Sequence, residues 1–257
     1  MKKILVVLLS LLLAAGCSTK IKGGDLQDIN KRGYITIAME GTWAPWTYHD
    51  ESDALVGYDV EVGKYIADYL GVEAQFIEGE WDGLLAGIEA GRYDMMINGC
   101  DVTEKRKEVY DFSDAYVENN SIVVMTTKDN EDIKKMEDLK GKITANTASS
   151  TYASIAEEYG ATVKPVDSLN DTFMALERGT IDATVNSESA FNDYIKAKPD
   201  ANIKIACYYE DAPEIAIPMK KGSSELVNKV NEAIAAAKAD GTIAALSNKY
   251  FGEGSND

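Results

Sequence analysis

Hydrophobic and polar positions fall into two alternating rhythms. Residues 34–38 alternate with the period of a half-buried strand, and Tyr58–Leu70 repeats at helical spacing until Gly71 stops it. Residues 72–77 read as a strand, 81–90 as a short helix ended by Gly91, and 93–97 as another strand, with 121–126 strand-like as well. A similar rhythm begins near Asn130. It predicts a short helix and turn over 136–141, strands over 142–146, 161–166 and 181–185, and helices over 150–159 and 168–178. Ser187 is placed to cap a further helix, 202–207 and 214–218 return as strands, and 224–240 and 242–250 are amphipathic helices. Strand–helix alternation twice over predicts an α/β fold of two lobes with mostly parallel sheets. Ligands on such sheets bind beyond the carboxyl ends of the strands. Asn98–Asp101, Asn146–Ser150 and Asn186–Glu188 all fall at such ends.

The first of these segments carries the most chemistry. Residues 95–97 form a buried strand, Asn98-Gly99 breaks it, and the Thr103 hydroxyl is placed to cap a short helix from Glu104. Loop N–H groups, a helix start and Arg106 then converge on one spot, and each suits an anion. A guanidinium grips a carboxylate through two parallel hydrogen bonds. The alternative is a capped surface helix with a solvated arginine.

The N-terminus bears on compartment. Lys2-Lys3 precedes an apolar run over 4–13, too short to span a bilayer, so residues 1–16 read as a secretory signal peptide. Cys17, directly after Ala14-Ala-Gly16, looks like a lipobox cysteine, with residues 17–24 as a lipid-anchored tether. Without the two lysines of residues 1–16, the 26 basic residues fall to 24 against 43 acids, a formal net charge of −19. That balance argues against nucleic acid and against an electrostatic hold on anionic lipid. Two further cysteines, Cys100 and Cys207, read as free buried thiols rather than a disulfide. One histidine, His49, and no Cys/His cluster give no metal signature, and no cofactor is expected.

From about residue 35 to 251 the chain resembles the solute-binding proteins of polar amino-acid ABC importers. The blocks that carry the resemblance, in order, are Glu40-Gly-Thr-Trp-Ala-Pro-Trp46, Leu55-Val-Gly-Tyr-Asp59, Trp81-Asp-Gly-Leu-Leu85, Gly91-Arg-Tyr-Asp94, Thr103-Glu-Lys-Arg106, Tyr110-Asp-Phe-Ser113, Asp138-Leu-Lys-Gly141, Asp240-Gly-Thr242 and Lys249-Tyr-Phe251. The resemblance implies a two-lobe periplasmic-binding-protein-like fold of type II. Its crossing strands would lie near 122–126 and 214–218. Lobe one would comprise 25–122 plus 218–257, and lobe two 123–217.

By the same resemblance, Arg106 matches the arginine that holds a ligand α-carboxylate. Ser150, next to Ser149, matches the second lobe's donor to that carboxylate; helix capping is its other reading. Glu40, Trp43 and Trp46 lie on the loop after the first strand, where an aromatic face stacks on a ligand or simply fills the core. Trp81 packs the lobe or rims the cleft. Asn98 and Gly99 belong to the ligand loop. Two positions depart from the common pattern. Asp101 stands where many members carry Ser or Thr, which suits an ammonium, a guanidinium or a salt bridge to Arg106. Ser187 stands where the family has the aspartate that grips the ligand ammonium. Glu188 or Asp101 is then a candidate replacement; a helix N-terminus with a favourable acid is the alternative.

The pattern is closest to cystine-binding members. The expected role is an exported, non-enzymatic, monomeric binding protein that closes on cystine, arginine or lysine and delivers it to ABC permease subunits. An amino-acid sensor and a dehydratase-like enzyme on the same scaffold are the alternatives.

Overall fold

The structure is a computed structural model describing residues 24–117 and 120–252. The signal peptide, Cys17 and the tether through residue 23 lie outside the described residues. Gly24, the last tether residue, donates its N–H to buried Asp94 at 3.1 Å, so the chain enters tied to the first lobe.

The first lobe begins with α1 (Leu26–Arg32), capped by Asp25, and β1 (Tyr34–Met39). A small antiparallel meander of β2 (Thr42–Trp43), β3 (Thr47–His49) and β4 (Leu55–Val56) follows. Next come α2 (Tyr58–Leu70), β5 (Glu73–Glu78), α3 (Trp81–Glu89), β6 (Met95–Met96), α4 (Glu104–Val109) and β7 (Tyr110–Phe112). The chain then builds the second lobe from β8 (Ile122–Thr127), a 3-10 turn (Met136–Leu139), β9 (Ile143–Asn146), α5 (Thr151–Glu158), β10 (Thr162–Pro165), α6 (Leu169–Glu177), β11 (Thr184–Ser187), α7 (Glu188–Ala197) and β12 (Ile203–Tyr209). It returns through β13 (Pro218–Lys220), α8 (Ser224–Ala239) and α9 (Thr242–Phe251) to the first lobe.

The sheets are mixed rather than mostly parallel. In the first lobe the order is β5-β1-β6-β13-β7, parallel from β5 to β6 and antiparallel at β13. In the second, β8 lies between β11 and β12 and opposes both, while β9 and β10 pair in parallel. A bridge from Thr144 to Ala183 joins the two sets. The antiparallel members are the strands that enter a sheet straight from a crossing segment, where no helix turns the chain over. Residues 113–116 bond to 215–217 through Ser113 N–H to the Ile217 carbonyl at 3.1 Å and Tyr116 N–H to the Ile215 carbonyl at 3.2 Å.

Apolar faces of β1, α2 and α8 fill the first core with Ile35, Ile37, Ile66, Val230 and Ile234, all essentially inaccessible. The second core is smaller, centred on Phe173, which stacks on Tyr194 at 4.0 Å between ring centroids. Each such buried side chain contributes about 1.5–3 kcal/mol relative to exposure. The parallel strands β1, β6, β9 and β11 present their carboxyl ends to the space between the lobes, while the antiparallel β8 and β13 run the other way.

Candidate ligand cleft

A cleft lies between the lobes, with a cavity volume of about 50 Å³. The first lobe lines it with Glu40, Trp43, Trp81, Gly99 and Asp101. The second supplies Asn146, Ser150, Thr151, Tyr152 and Asn186 from the ends of β9 and β11 and the start of α5.

Asn98 fixes the first wall without reaching the cavity. Its Oδ1 accepts the Glu40 N–H at 2.7 Å, and its Nδ2 donates to Glu40 Oε2 at 2.7 Å. Burial of Glu40 outweighs that bond and pushes its pKa up to about 7. Gly99 adopts φ +52°, and a Cβ there would meet the Trp43 ring at 2.6 Å, so only glycine fits beneath the indole. Its N–H is not offered to a ligand. It donates to Asp59 Oδ2 at 2.8 Å, while the Tyr116 hydroxyl donates to Asp59 Oδ1 at 2.7 Å. This corrects the expectation of an anion-binding loop at Gly99, because a buried carboxylate from α2 already takes the donor. Lacking a cation, Asp59 is raised to about 7 by burial.

Thr103 caps α4 as expected, accepting the Arg106 N–H at 3.2 Å. The Arg106 guanidinium crosses to the other lobe. Nη1 donates to the Asp101 carbonyl at 2.8 Å and to Thr151 Oγ1 at 3.1 Å, and Nη2 donates to the Ser149 carbonyl at 3.2 Å. Its carbon sits 5.2 Å over the Trp81 ring, a cation–π contact at the cavity rim. Asp101 is 4 % exposed, and its carboxylate accepts from Asn120 Nδ2 at 3.2 Å and from the Thr151 hydroxyl. Burial raises it to about 6, partly offset by the nearby guanidinium. A hydroxyl of the second lobe therefore sits between a cation and a carboxylate of the first.

Trp43 lines the cavity and stacks on Trp46 at 5.1 Å with an 11° interplanar angle. Trp46 lies behind it in the core, against Tyr58 and Phe251, and its Nε1 reaches Ser189 Oγ at 3.0 Å across the cleft. Ser150 lines the cavity and caps α5, accepting the Ala153 N–H at 3.1 Å and donating to the Thr147 carbonyl at 2.7 Å. Its own N–H donates to the Thr147 carbonyl as well, so its hydroxyl and N–H are engaged in the cap and in the turn before it. Ser149 is exposed, and its hydroxyl meets Asp82 of the first lobe.

Ser187 caps α7, and Trp46 Nε1 lies 3.4 Å from its hydroxyl, so it belongs to the lobe contact and not the cavity wall. Glu188 is also outside the cavity. The start of α7 aims it at Tyr208, whose hydroxyl donates to Oε1 at 2.9 Å. Glu188 therefore does not replace the missing aspartate, and Asp101 and Glu40 are the carboxylates that line the cavity. Cys100 is buried and Cys207 only half-buried, both free, and burial pushes the Cys100 thiol up to about 12. Tyr152 and the start of α6 also line the cavity, and the sequence gives neither a ligand role. The sheet-end rule marked Asn146 by position, but nothing local marks α6 as a cavity wall.

The chain matches the model of the bacterial extracellular solute-binding proteins, family 3, over residues 35–253, and it belongs to that family. It is 40 % identical over 234 residues to the L-cystine-binding protein TcyA of Bacillus subtilis, covering 90 % of this chain and 87 % of that one. It is 32 % identical over 256 residues to the L-cystine-binding protein TcyJ of Escherichia coli K12, covering 98 % and 96 %. Among solved structures it resembles an ancestral arginine-binding protein bound to glutamine, with TM-score 0.81 and 35 % identity over 86 % of this chain and 99 % of that one. It also resembles the ancestral amino acid-binding protein AncCDT-1, a precursor of cyclohexadienyl dehydratase, with TM-score 0.80 and 28 % identity over 88 % and 99 %. The fold is therefore the two-lobe type II binding-protein fold. No helix among the described residues is long and apolar enough to cross a membrane.

Proposed function

We propose that the protein is the extracytoplasmic binding component of an amino-acid ABC importer, closing its lobes on a polar amino acid and delivering it to the permease. One observation carries this. Arg106 of the first lobe, with Asp101 beside it, engages Thr151 and Ser149 of the second at the edge of the cavity between them. A ligand held at that junction gains from contacts to both lobes only when they close. The population shift equals that difference in affinity. Arg106 is the anchor for the α-carboxylate, and Asp101 and Glu40 are the partners for an ammonium, whose charge relieves their desolvation. Trp43 supplies an aromatic wall.

Cystine is the first candidate, supported by TcyA and TcyJ; arginine and lysine follow, then glutamine. Residues 25–122 plus 218–257 form one lobe and 123–217 the other. Cys17 carries the lipid that tethers the protein, as a monomer, to the outer face of the membrane. The role is binding rather than catalysis, as the names of the curated relatives suggest.

Isothermal titration against each amino acid and cystine tests the reading. Binding of at least one in the micromolar range or tighter is expected. If none binds tighter than millimolar, the transport role fails, and turnover of a prephenate-like or arogenate-like acid would replace it with the enzymatic one.

A further inference from the structure

The two segments that cross between the lobes are bonded to each other at either end and by a side chain in between. On the first-lobe side the Tyr116 N–H meets the Ile215 carbonyl, and in the second lobe Ile122 pairs with Tyr209 where β8 meets β12. Between these points, among the described residues, the bond from one segment to the other is made by Asn120, whose Nδ2 donates to the Pro213 carbonyl at 2.8 Å. This is the stretch that flexes when the lobes part, since the pairing at either end moves with its own lobe.

The same amide nitrogen donates to Asp101 Oδ1 at 3.2 Å. Asp101 is tied to the other segment as well. It forms a bridge with Ile215, flanked by the Ala216 N–H on the Cys100 carbonyl at 3.1 Å and the Val102 N–H on the Glu214 carbonyl at 2.8 Å. The cavity carboxylate thus sits in backbone register with one crossing segment and takes a side-chain donor from the other. Any change in the angle between the segments moves that donor relative to the carboxylate.

Two acceptors on one side fix the amide's orientation, because only its nitrogen donates. Asn120 Oδ1 is then buried with no hydrogen-bond partner among the described residues. A buried acceptor in that state is penalised, so an apolar side chain of the same shape would suit the fold at least as well. What the asparagine supplies is its pair of donors.

We propose that Asn120 is a positioning residue of the hinge, aiming the Asp101 carboxylate at the cavity only while the two crossing segments hold the closed register. Asn120 is not among the residues that line the cavity. It acts through Asp101, and opening the lobes withdraws its donors and frees the carboxylate to turn away. This rests on the solute-binding reading above.

Titration and stopped-flow tryptophan emission with L-cystine, L-arginine, L-lysine and L-glutamine test it, on the wild type, Asn120→Leu, Asp101→Ala and the double variant. Asn120→Leu keeps the shape and removes both donors, and it should melt close to the wild type. It should nonetheless release the bound amino acid at least about tenfold faster, as loss of a bond to a charged group requires. Association should change by less than about threefold, since the bond forms on closure and not on encounter. In the Asp101→Ala background the same substitution should alter affinity by less than about threefold, because the carboxylate it aims is gone. A purely structural asparagine would lower the melting temperature and act equally in both backgrounds. That result overturns the proposal, as does wild-type release from folded Asn120→Leu. If Asn120→Leu does not fold, the cycle is run with Asn120→Asp, which has the same shape and only acceptors; failure of both to fold assigns the residue to the fold and overturns the proposal too. The transport role survives each of these results. Failure of every amino acid to bind the wild type removes the transport role and this inference together.

Discussion

The two walls of the cleft are built from different materials. The first lobe brings the charge: Arg106, with Asp101 raised to about 6 and Glu40 raised to about 7 by burial. The second brings neutral donors and acceptors from caps and strand ends, such as Ser150, Thr151 and Asn146. The difference separates two tasks. A wall of formal charge attracts a zwitterion before closure, whereas neutral hydroxyls and amides add directional bonds only at contact. Arg106 joins the tasks, because its guanidinium belongs to the first wall and reaches the second.

Removing that link gives the largest expected effect. Arg106→Ala should weaken amino-acid binding by about 3 kcal/mol or more, over a hundredfold, since it strips a charged anchor and leaves its partner desolvated. A variant that titrates within threefold of the wild type would show that the first wall does not depend on Arg106.

The pH dependence sharpens the contrast next. Asp101, Glu40 and Asp59 hold folded-state values above their ordinary 3.8, 4.5 and 3.8. The folded state therefore takes up protons that the unfolded chain does not, and these groups make the ligand-free protein more stable as pH falls through about 7 to 6. Their penalty is present in full above that window. Ligand binding should run the other way, weakening by roughly tenfold from about pH 8 to about pH 5.5 as Asp101 and Glu40 lose their attraction for an ammonium. Melting curves and titrations over that range should show opposite slopes, with Glu40→Gln reducing both; parallel slopes would mean these carboxylates do not face the ligand.

The smallest effect belongs to the second wall. Ser150→Ala removes the cap of α5 and should cost about 1 kcal/mol of stability, read by denaturant unfolding. Its effect on affinity should be well below that of Arg106→Ala. Equal losses from the two variants would erase the division between the walls.

Much of this arrangement was legible in the sequence because it is written locally. Thr103, Ser150, Ser168 and Ser187 all cap helices with a hydroxyl placed directly before the first turn, and Gly71 ends α2. Long-range features were not legible. The direction of β8 depends on where the chain enters the sheet, and the two-residue strands β2 and β4 are too short to show a period. The helix α1 is silent in the sequence because seven residues between a tether and a strand give little periodicity. At the site, Arg106 and Asp101 were readable from one segment. The loss of Gly99's donor was not, since Asp59 lies 40 residues away. The setting of Glu188 is hidden for a similar reason: its neighbour Tyr208 is distant in sequence and 53 % exposed, with nothing local to announce it.

The stacked indoles have a practical consequence. The whole chain contains three tryptophans, and all of them sit at the junction of the lobes: Trp43 and Trp81 on the cavity, Trp46 bonded across it. Tryptophan emission from this protein, excited where tyrosine does not absorb, therefore has no distant background contribution. Opening the cleft would hydrate the edge of the Trp43–Trp46 pair and part Trp46 from Ser189, so an unlabelled sample carries its own optical gauge of how far the jaws stand apart.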